Sequence, residues 1–322
     1  MARTRRLVKS ALSAAIIAAV AVFFYRAFQR NWAEIEAAQL RLEAVPLLGA
    51  GALMLLGYLL STYGWHVTVN ALSDSSKLTF TESVATFNSS SLTKYLPGKV
   101  WSYALQMYWL GAAGFSKTLV VYVNIVNLVV SLVTTLLVGL LCLVFSTSRL
   151  PLSATLSALA LVVILDLGII KFYSRVFGAV VAFVNRRFKR EIRYFPLSTR
   201  LMLELQIIYL LSAVAFGAST YLVCMGISYP LAGRDAPLVA AASLISDVVG
   251  FLAIVVPAGL GVREGLMFFL LGGVSLGSLP LVLPLASRLV NMLVDVGLGA
   301  LAIRLLRGLT AASTRPSQGK PN

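Results

Sequence analysis

Long apolar runs dominate the pattern of hydrophobic and polar positions along the chain. A transmembrane helix needs about 20 consecutive apolar residues. By this measure the pattern predicts about six full spans, at 11–25, 46–66, 119–145, 152–170, 201–225 and 279–306. The second span ends in an aromatic group, Tyr58, Tyr63 and Trp65, of the kind expected at a membrane interface. The pattern therefore predicts an all-α polytopic membrane protein.

Two further apolar stretches, 80–115 and 237–273, are interrupted by proline and glycine. These residues cannot continue a regular helix, and non-helical backbone within a membrane is tolerated only inside protein or beside a water-filled cavity. We therefore predict two re-entrant broken-helix hairpins that meet near the middle of the membrane. The predicted breaks contain Pro97, Gly98, Pro257, Gly259 and Gly261.

Charged residues and apolar residues alternate at helical spacing in two segments outside the spans, 26–44 and 171–200. Both are predicted to be amphipathic segments at the membrane surface. The basic N-terminus lacks a persuasive signal-peptide cleavage site, so 11–25 is predicted to be an uncleaved first span. We expect one membrane domain over 1–310 and a disordered tail over 311–322.

Composition agrees with this class, since 59% of the residues are hydrophobic and 12% are charged. The formal net charge of +15 comes from basic residues near the N-terminus, in 171–200 and near the C-terminus. Basic residues in these places act as topology signals and contact anionic headgroups, so no nucleic-acid partner is predicted. The positive-inside rule places both termini in the cytoplasm.

Counting the spans gives two halves, about 45–150 and 200–306, that run through the membrane in opposite directions. Polar residues after each hairpin repeat at a common offset of 164 residues. They are Asn124, Asn127 and Ser131 in the first half, and Arg288, Asn291 and Asp295 in the second. Each triplet occupies one helical face. The order of elements and the offset predict an inverted-topology repeat.

Charged residues within the second half's apolar runs indicate a polar site. A charge at the bilayer centre costs about 2.5–3.5 kcal/mol, so such residues must be compensated. One interpretation is internal ion pairs, Arg288 with Asp295 or Arg263 with Asp247. The other is contact with a ligand, because guanidinium groups bind phosphate in a bidentate manner and a helix that restarts near Val262 directs its positive end into the same space.

We therefore predict a lipid headgroup site. Its candidate residues are Arg263, Glu264, Arg288, Asn291, Asp295, Asp247, Lys94, Lys99 and Asn88. Lys94 and Lys99 have an alternative role, in which their ammonium groups extend to the cytoplasmic interface. Tyr103 and neighbouring aromatic residues are predicted to belong to an interfacial belt rather than to a binding cage.

The chain contains few of the residues from which common catalytic sites are built. The chain has one histidine and two cysteines, which argues against a His-based metal site or a Ser-His-Asp triad. It has no acidic Asp-x-x-Asp pair and no nucleotide-binding loop. We predict no catalytic residues, no metal and no cofactor.

The residues around both breaks resemble the two signature regions of the lysylphosphatidylglycerol synthase transmembrane, or flippase-like, family. The resemblance rests on Asn88 with its following serines, on Lys-Tyr-Leu-Pro-Gly at 94–98, and on Pro-Ala-Gly-Leu-Gly-Val-Arg-Glu-Gly at 257–265. It extends over about residues 10–305. Where this chain has Pro257-Ala258-Gly259, family members often have Pro-Gly-Gly. The sequence ends at Asn322, so we expect no soluble aminoacyl-transferase domain.

The resemblance implies a lipid-handling protein of the bacterial inner membrane. Our leading hypothesis is a flippase-like transporter that moves a phosphate-bearing lipid between leaflets, such as an aminoacylated phospholipid or a polyprenyl-linked lipid. Its partners would be anionic or zwitterionic membrane lipids. One alternative is a membrane-embedded transferase with Asp247 or Glu264 as base. Another is a non-transporting partner of a lipid-modifying enzyme or glycosyltransferase. The oligomeric state is left open.

Overall fold

The computed structural model describes residues 25–26, 29, 36, 41–74, 76–95, 101–146, 151–188, 193–227, 231, 233–253, 259–272 and 279–313. Within these ranges the chain forms nine α-helices and two short 3-10 helices. The α-helices are α1 (Ala44–Leu72), α2 (Phe80–Ser91), α3 (Trp101–Ala112), α4 (Lys117–Val144), α5 (Leu152–Phe188), α6 (Thr199–Gly226), α7 (Ala236–Leu252), α8 (Val262–Gly272) and α9 (Leu279–Ser313). The 3-10 helices are Leu92–Tyr95 and Gly233–Asp235.

Six helices in the described part of the chain are long and apolar enough to cross a membrane, which confirms an all-helical integral membrane protein. Five coincide with predicted spans. They are Ala44–Leu72, Lys117–Val144, Leu152–Lys171, Thr199–Gly226 and Leu279–Arg307. The sixth, Gly233–Leu252, lies where we predicted the start of a hairpin. The predicted span 11–25 and most of 26–44 fall outside the described residues.

Two candidate spans end within one residue of their predicted ends, at Lys171 and Arg307, but each belongs to a longer helix. Helix α5 does not end where its span ends but continues without interruption to Phe188, into the segment 171–200. Helix α9 runs to Ser313, and most of the predicted tail over 311–322 lies outside the described residues. In both places the sequence has neither proline nor a run of glycines, so the backbone can continue as helix although the side chains become polar.

Several helices begin at hydroxyl side chains that cap the first turn. Thr79 and Glu82 form a reciprocal capping box at the start of α2. The side chains of Ser116 and Ser198 accept the backbone N–H of Leu119 and Leu201 at the starts of α4 and α6. Such caps satisfy N–H groups that have no partner within the helix.

Helices α1 and α6 form an extensive antiparallel pair through small and hydroxyl residues. The Ser219 hydroxyl donates to the Ala50 carbonyl at 2.9 Å, and the Ser212 hydroxyl donates to the Gly57 carbonyl at 3.0 Å. Small side chains allow close approach of helices, which is the usual basis of helix association in membranes.

The two interrupted helix pairs, α2 with α3 and α7 with α8, show exchanged packing, in which each pair contacts the long helix of the other half of the chain. Helix α2 packs extensively on α9, whereas α7 packs extensively on α4. A glycine allows each contact, because a Cβ at Gly299 would lie 2.5 Å from the Leu92 side chain and one at Gly139 would lie 2.9 Å from Ile245. Each interrupted pair is therefore held by the long helix of the other half.

The buried apolar residues form two large clusters at opposite ends of the bundle. One contains Trp65, Val69 and Leu205. The other contains Ala50, Val223 and Leu238. Because Ala50 and Trp65 lie in different turns of α1, with Tyr58 between them, the two clusters flank a middle layer. The charged site lies in this layer.

Candidate functional site

A cavity of about 270 Å³ lies between the two interrupted helix pairs and the long helices α1 and α9. This volume is slightly below the usual range for ligand pockets, about 300–1,000 Å³. Its lining residues are Tyr58, Lys94, Ser102, Tyr103, Asp247, Gly250, Phe251, Arg263, Arg288, Asn291 and Met292. The cavity thus brings together side chains from both halves of the chain.

The cavity lies at mid-depth of the spans that form it. Tyr58 is at the midpoint of α1, and Asn291 is close to the midpoint of the candidate span Leu279–Arg307. The Tyr58 hydroxyl donates a hydrogen bond to Asn291 Oδ1 at 2.6 Å, which fixes these two positions at the same level. The site is therefore where a bare charge is most costly, near the centre of the hydrocarbon layer.

Arg263 and Asp247 form an ion pair across the second interrupted helix pair. Arg263 Nε donates to Asp247 Oδ1, so the first turn of α8 is bound to the last part of α7. Gly250 makes this approach possible, because a Cβ there would lie 2.9 Å from Arg263 Cβ. The Arg263 side chain is 9% exposed and that of Asp247 is 34% exposed. The carboxylate is thus the more accessible member of the pair.

Glu264 forms two contacts at the start of α8. Its Oε2 accepts the backbone N–H of Gly261 at 2.6 Å, and its Oε1 accepts from Arg288 Nη1. The turn before it requires glycine, since Gly259 and Gly261 have φ values of 64° and 87°. Glu264 therefore caps the restarted helix and also joins it to α9.

Lys94 connects the first half to α9. Its ammonium lies 2.9 Å from Asp295 Oδ2, and it also donates to the Tyr58 hydroxyl at 3.4 Å. The same ammonium lies 5.2 Å from the centre of the Tyr58 ring. Lys94 is carried by the 3-10 helix Leu92–Tyr95, directly before the predicted first break.

Among the described residues, the charges of the site balance. Its three cations, on Lys94, Arg263 and Arg288, each pair with one carboxylate. Glu264 and Asp295 are almost fully buried behind the cavity wall, with side-chain exposures of 3% and 5%. Among the lining residues, the wall thus presents three cations and one carboxylate, Asp247.

The structure brings most of the predicted headgroup residues together. Lys94, Asp247, Arg263, Arg288 and Asn291 line the cavity, and Glu264 and Asp295 support them from behind. Lys99, Pro97, Gly98 and Pro257 lie outside the described residues.

Asn88 is placed elsewhere. Its amide donates to the Thr62 hydroxyl at 3.0 Å, in a buried contact between α2 and α1. It does not line the cavity.

The alternative interpretation by internal ion pairs was right for Arg263 with Asp247. It was wrong for Arg288 with Asp295, because Arg288 pairs with Glu264 and Asp295 pairs with Lys94. Arg288 and Asp295 lie almost two turns apart on α9, so they reach different neighbouring elements.

Sequence reasoning missed the role of Tyr58 and Tyr103, which were predicted to be interfacial aromatic residues but line the cavity. Tyr58 is at the midpoint of α1, and the predicted span 46–66 already had its midpoint at residue 56, so the position of Tyr58 argued against an interfacial place. The sequence offered one signal, the offset of 164 residues between Asn127 and Asn291. Each of these asparagines accepts a tyrosine hydroxyl at 2.6 Å, from Tyr209 and Tyr58 respectively.

The corresponding contacts of the first half are neutral. Gln106 on α3 donates to the Ser90 hydroxyl of α2 at 2.9 Å, and Asn124 on α4 donates to Gln106 Oε1 at 2.7 Å. These side chains link the same series of elements as Asp247, Arg263, Glu264 and Arg288 do in the second half. The described residues contain no group of three or more His, Cys, Asp or Glu side chains placed to hold a metal ion.

The fold and the charged cavity define a polytopic helical membrane protein with a polar site at mid-depth. The chain belongs to the family described as the lysylphosphatidylglycerol synthase TM region, whose family model matches residues 8–299. A search of curated proteins found no significant match.

Proposed function

We propose that this protein is a flippase-like transporter that moves a phosphate-bearing lipid between the two leaflets. The observation that carries the proposal is the charged cavity between the two interrupted helix pairs. Arg288 retains donor groups beyond the one used in its ion pair with Glu264, since a guanidinium has five N–H donors. A phosphate could thus bind at the wall without displacing the buried carboxylates.

Apolar residues at the cavity wall fit a lipid rather than a soluble anion. Phe251 and Met292 both line the cavity, and their exposed fractions are 39% and 37%. On a membrane-embedded surface, exposed apolar side chains contact acyl chains. A lipid could therefore place its headgroup in the cavity while its chains stay in the bilayer.

Asp247 favours a headgroup that also carries an ammonium. The described charges of the cavity balance, so a simple anion would add a net charge to them, and an uncompensated charge in a low-dielectric site is costly. A headgroup with one phosphate and one ammonium keeps the balance if the ammonium contacts Asp247. This supports an aminoacylated or zwitterionic phospholipid over a polyprenyl phosphate.

The exchanged packing supports the proposed inverted-topology repeat. In the proposed repeat, α1 to α4 of the first half correspond in order to α6 to α9 of the second. Each extensive helix contact between the halves then has a counterpart at the equivalent pair of helices. The pairs Tyr58–Asn291 and Tyr209–Asn127 correspond in the same way. Alternating access could then arise from movement of one half against the other around the cavity.

The first interrupted pair also fits a re-entrant hairpin. Helices α2 and α3 have 12 residues each, which gives about 18 Å per arm against a hydrocarbon layer of about 30 Å. Helix α8, with 11 residues, is similarly short. We further propose that both termini face the cytoplasm of a bacterial inner membrane.

The embedded transferase is less well supported. Its proposed bases, Asp247 and Glu264, are each bound by an arginine. An oxygen of each carboxylate is thus already engaged within the protein.

Reconstitution into liposomes with labelled phosphatidylethanolamine, phosphatidylglycerol or polyprenyl phosphate tests the proposal. We expect leaflet exchange without chemical conversion, fastest for the ammonium-bearing lipid. Arg263→Ala and Arg288→Ala should reduce exchange to that of protein-free liposomes. Arg288→Lys should recover little, because a point charge lacks the guanidinium geometry. Arg304→Ala is the matched control, since Arg304 is exposed on the same helix as Arg288.

Exchange that persists in both folded alanine variants would exclude the headgroup site. A new covalent lipid product would instead favour the transferase. Loss of the ammonium preference in Asp247→Asn, with exchange of phosphatidylglycerol retained, would confirm the role assigned to Asp247.

Topology can be tested separately. Cysteines replacing Arg186 and Arg234, in a background without Cys142 and Cys224, should react with a membrane-impermeant reagent from opposite sides. Reaction of both from the same side would contradict the repeat.

A further inference from the structure

Tyr58 occupies a central position in the cavity wall. It lies at the midpoint of α1, and its ring packs edge-on against Phe216 of α6 with 5.3 Å between ring centres. This contact fixes the plane of the ring. The direction of the hydroxyl group is thereby fixed as well.

The Tyr58 hydroxyl uses both of its hydrogen-bonding capacities within the site. It donates to Asn291 Oδ1 at 2.6 Å and accepts from Lys94 Nζ at 3.4 Å. Asn291 and Asp295 are one turn apart on the same face of α9, and Asp295 binds the same ammonium at 2.9 Å. Lys94 is therefore held between Tyr58 on one side and α9 on the other.

Lysine does not adopt a fixed position by itself, because its ammonium is carried by a flexible four-carbon stem. The Lys94 side chain is 38% exposed, so it is the most accessible of the three cations. A phosphate that enters the cavity would meet Lys94 in a defined position only if its neighbours hold it. Binding to a preorganised group costs less ordering entropy than binding to a mobile one.

Tyr209 forms a similar tyrosine–asparagine hydrogen bond among neutral partners. Tyr209 donates to Asn127 Oδ1 at 2.6 Å, and Thr68 donates to the same oxygen at 3.3 Å. These partners are neutral and lie outside the cavity. Tyr209 is therefore a matched control for the purely structural effect of a buried tyrosine–asparagine hydrogen bond.

We propose that Tyr58 is a positioning residue that holds the Lys94 ammonium at the cavity wall for contact with the phosphate of the ligand. The phosphate part of this inference rests on the proposed function. The effect of Tyr58 on the position of Lys94 is independent of the proposed function, because it concerns only contacts within the protein.

The first test measures Lys94 directly. The purified protein in detergent is treated with the N-hydroxysuccinimide ester of acetic acid, and the acetylation rate of Lys94 is followed by mass spectrometry. Loss of one hydrogen bond to the ammonium in Tyr58→Phe should raise this rate about threefold to tenfold. Tyr209→Phe should leave it unchanged. Asp295→Asn, which removes the paired carboxylate, is the positive control and should raise the rate further.

Thermal unfolding accompanies each measurement, so that a faster reaction is not mistaken for general opening. If Tyr58→Phe does not fold, Asn291→Leu is the second variant, since it removes the acceptor that orients the same hydroxyl. It should also raise the Lys94 rate. Equal Lys94 rates in the wild type and in folded Tyr58→Phe would overturn the proposal.

The second test measures lipid exchange in liposomes that contain increasing fractions of labelled phosphatidylethanolamine. Tyr58→Phe should need an about threefold to tenfold higher lipid fraction for half-maximal exchange, with the maximal rate nearly unchanged. Tyr209→Phe should change neither value. An unchanged half-maximal fraction in Tyr58→Phe would overturn the phosphate contact assigned to Lys94.

The two tests separate the two hypotheses. If the wild type exchanges no labelled lipid but Tyr58→Phe alone accelerates Lys94 acetylation, the transport function is wrong and the positioning of Lys94 stands. If exchange is present and Lys94 acetylation does not respond to Tyr58→Phe, the transport function stands and the positioning role is wrong.

Discussion

The two interrupted helix pairs have similar frameworks but different chemistry. In the first, Ser90, Gln106 and Asn124 link α2, α3 and α4 by neutral hydrogen bonds. In the second, ion pairs link α7, α8 and α9 in the same order. Neutral buried groups need only hydrogen-bond partners, whereas buried charges need opposite charges. The comparison indicates that both pairs share a framework and that the second half, joined by Lys94 of the first, supplies the charged site.

Removal of a charge from the second pair should have the largest effect on stability. Glu264→Ala leaves Arg288 unpaired and Gly261 uncapped, and loss of one partner of a buried ion pair costs about 3–5 kcal/mol. Gln106→Ala, at the corresponding place in the first pair, should cost about 1–3 kcal/mol. Unfolding in mixed detergent micelles measures both. Equal losses of stability in the two variants would contradict the proposed difference between the halves.

The break of the second pair should tolerate no side chain. A Cβ at Gly259 would lie 2.5 Å from the Gly250 carbonyl oxygen, and its φ of 64° is unfavourable for other residues. Backbone strain alone costs about 1–3 kcal/mol, so Gly259→Ala should lower the unfolding temperature clearly. Gly111→Ala in α3 is the control, because no atom lies within 4 Å of its Cβ position. A wild-type unfolding temperature for Gly259→Ala would contradict the described turn.

The helix contacts at Gly139 and Gly299 should lose similar amounts of stability when a side chain is introduced. Gly139→Leu and Gly299→Leu both force a side chain into a close helix contact, which costs about 1–3 kcal/mol. Gly297→Leu, whose Cβ position has no neighbour within 4 Å, should be nearly neutral. The same unfolding measurement applies. A loss in only one of the two glycine variants would argue against equivalent packing.

The smallest effect is expected from the neutral half. Ser90→Ala removes the acceptor for the Gln106 amide and should cost about 1 kcal/mol of stability. Lipid exchange by the folded variant should match that of the wild type, because Ser90 does not line the cavity. A large decrease in exchange would show that function is not confined to the charged half.

Much of the architecture was readable in the sequence. The apolar runs predicted five of the six candidate spans, because membrane-spanning helices need a minimum length of apolar residues. The charges of the second half marked the cavity residues, because a charge in an apolar run must be compensated. The motifs around the two breaks also indicated the family, which the match over residues 8–299 confirms.

Only the tertiary structure decided how these charges are used. The sequence could not assign Arg288 to Glu264 and Lys94 to Asp295, because partners far apart in the chain meet only when α8, α9 and the first 3-10 helix pack together. It did not show that the Tyr58 hydroxyl meets Asn291 and Lys94, because these contacts form only when distant helices pack together. Composition and periodicity determine which segments enter the membrane, whereas the pairing of buried charges depends on packing between distant helices.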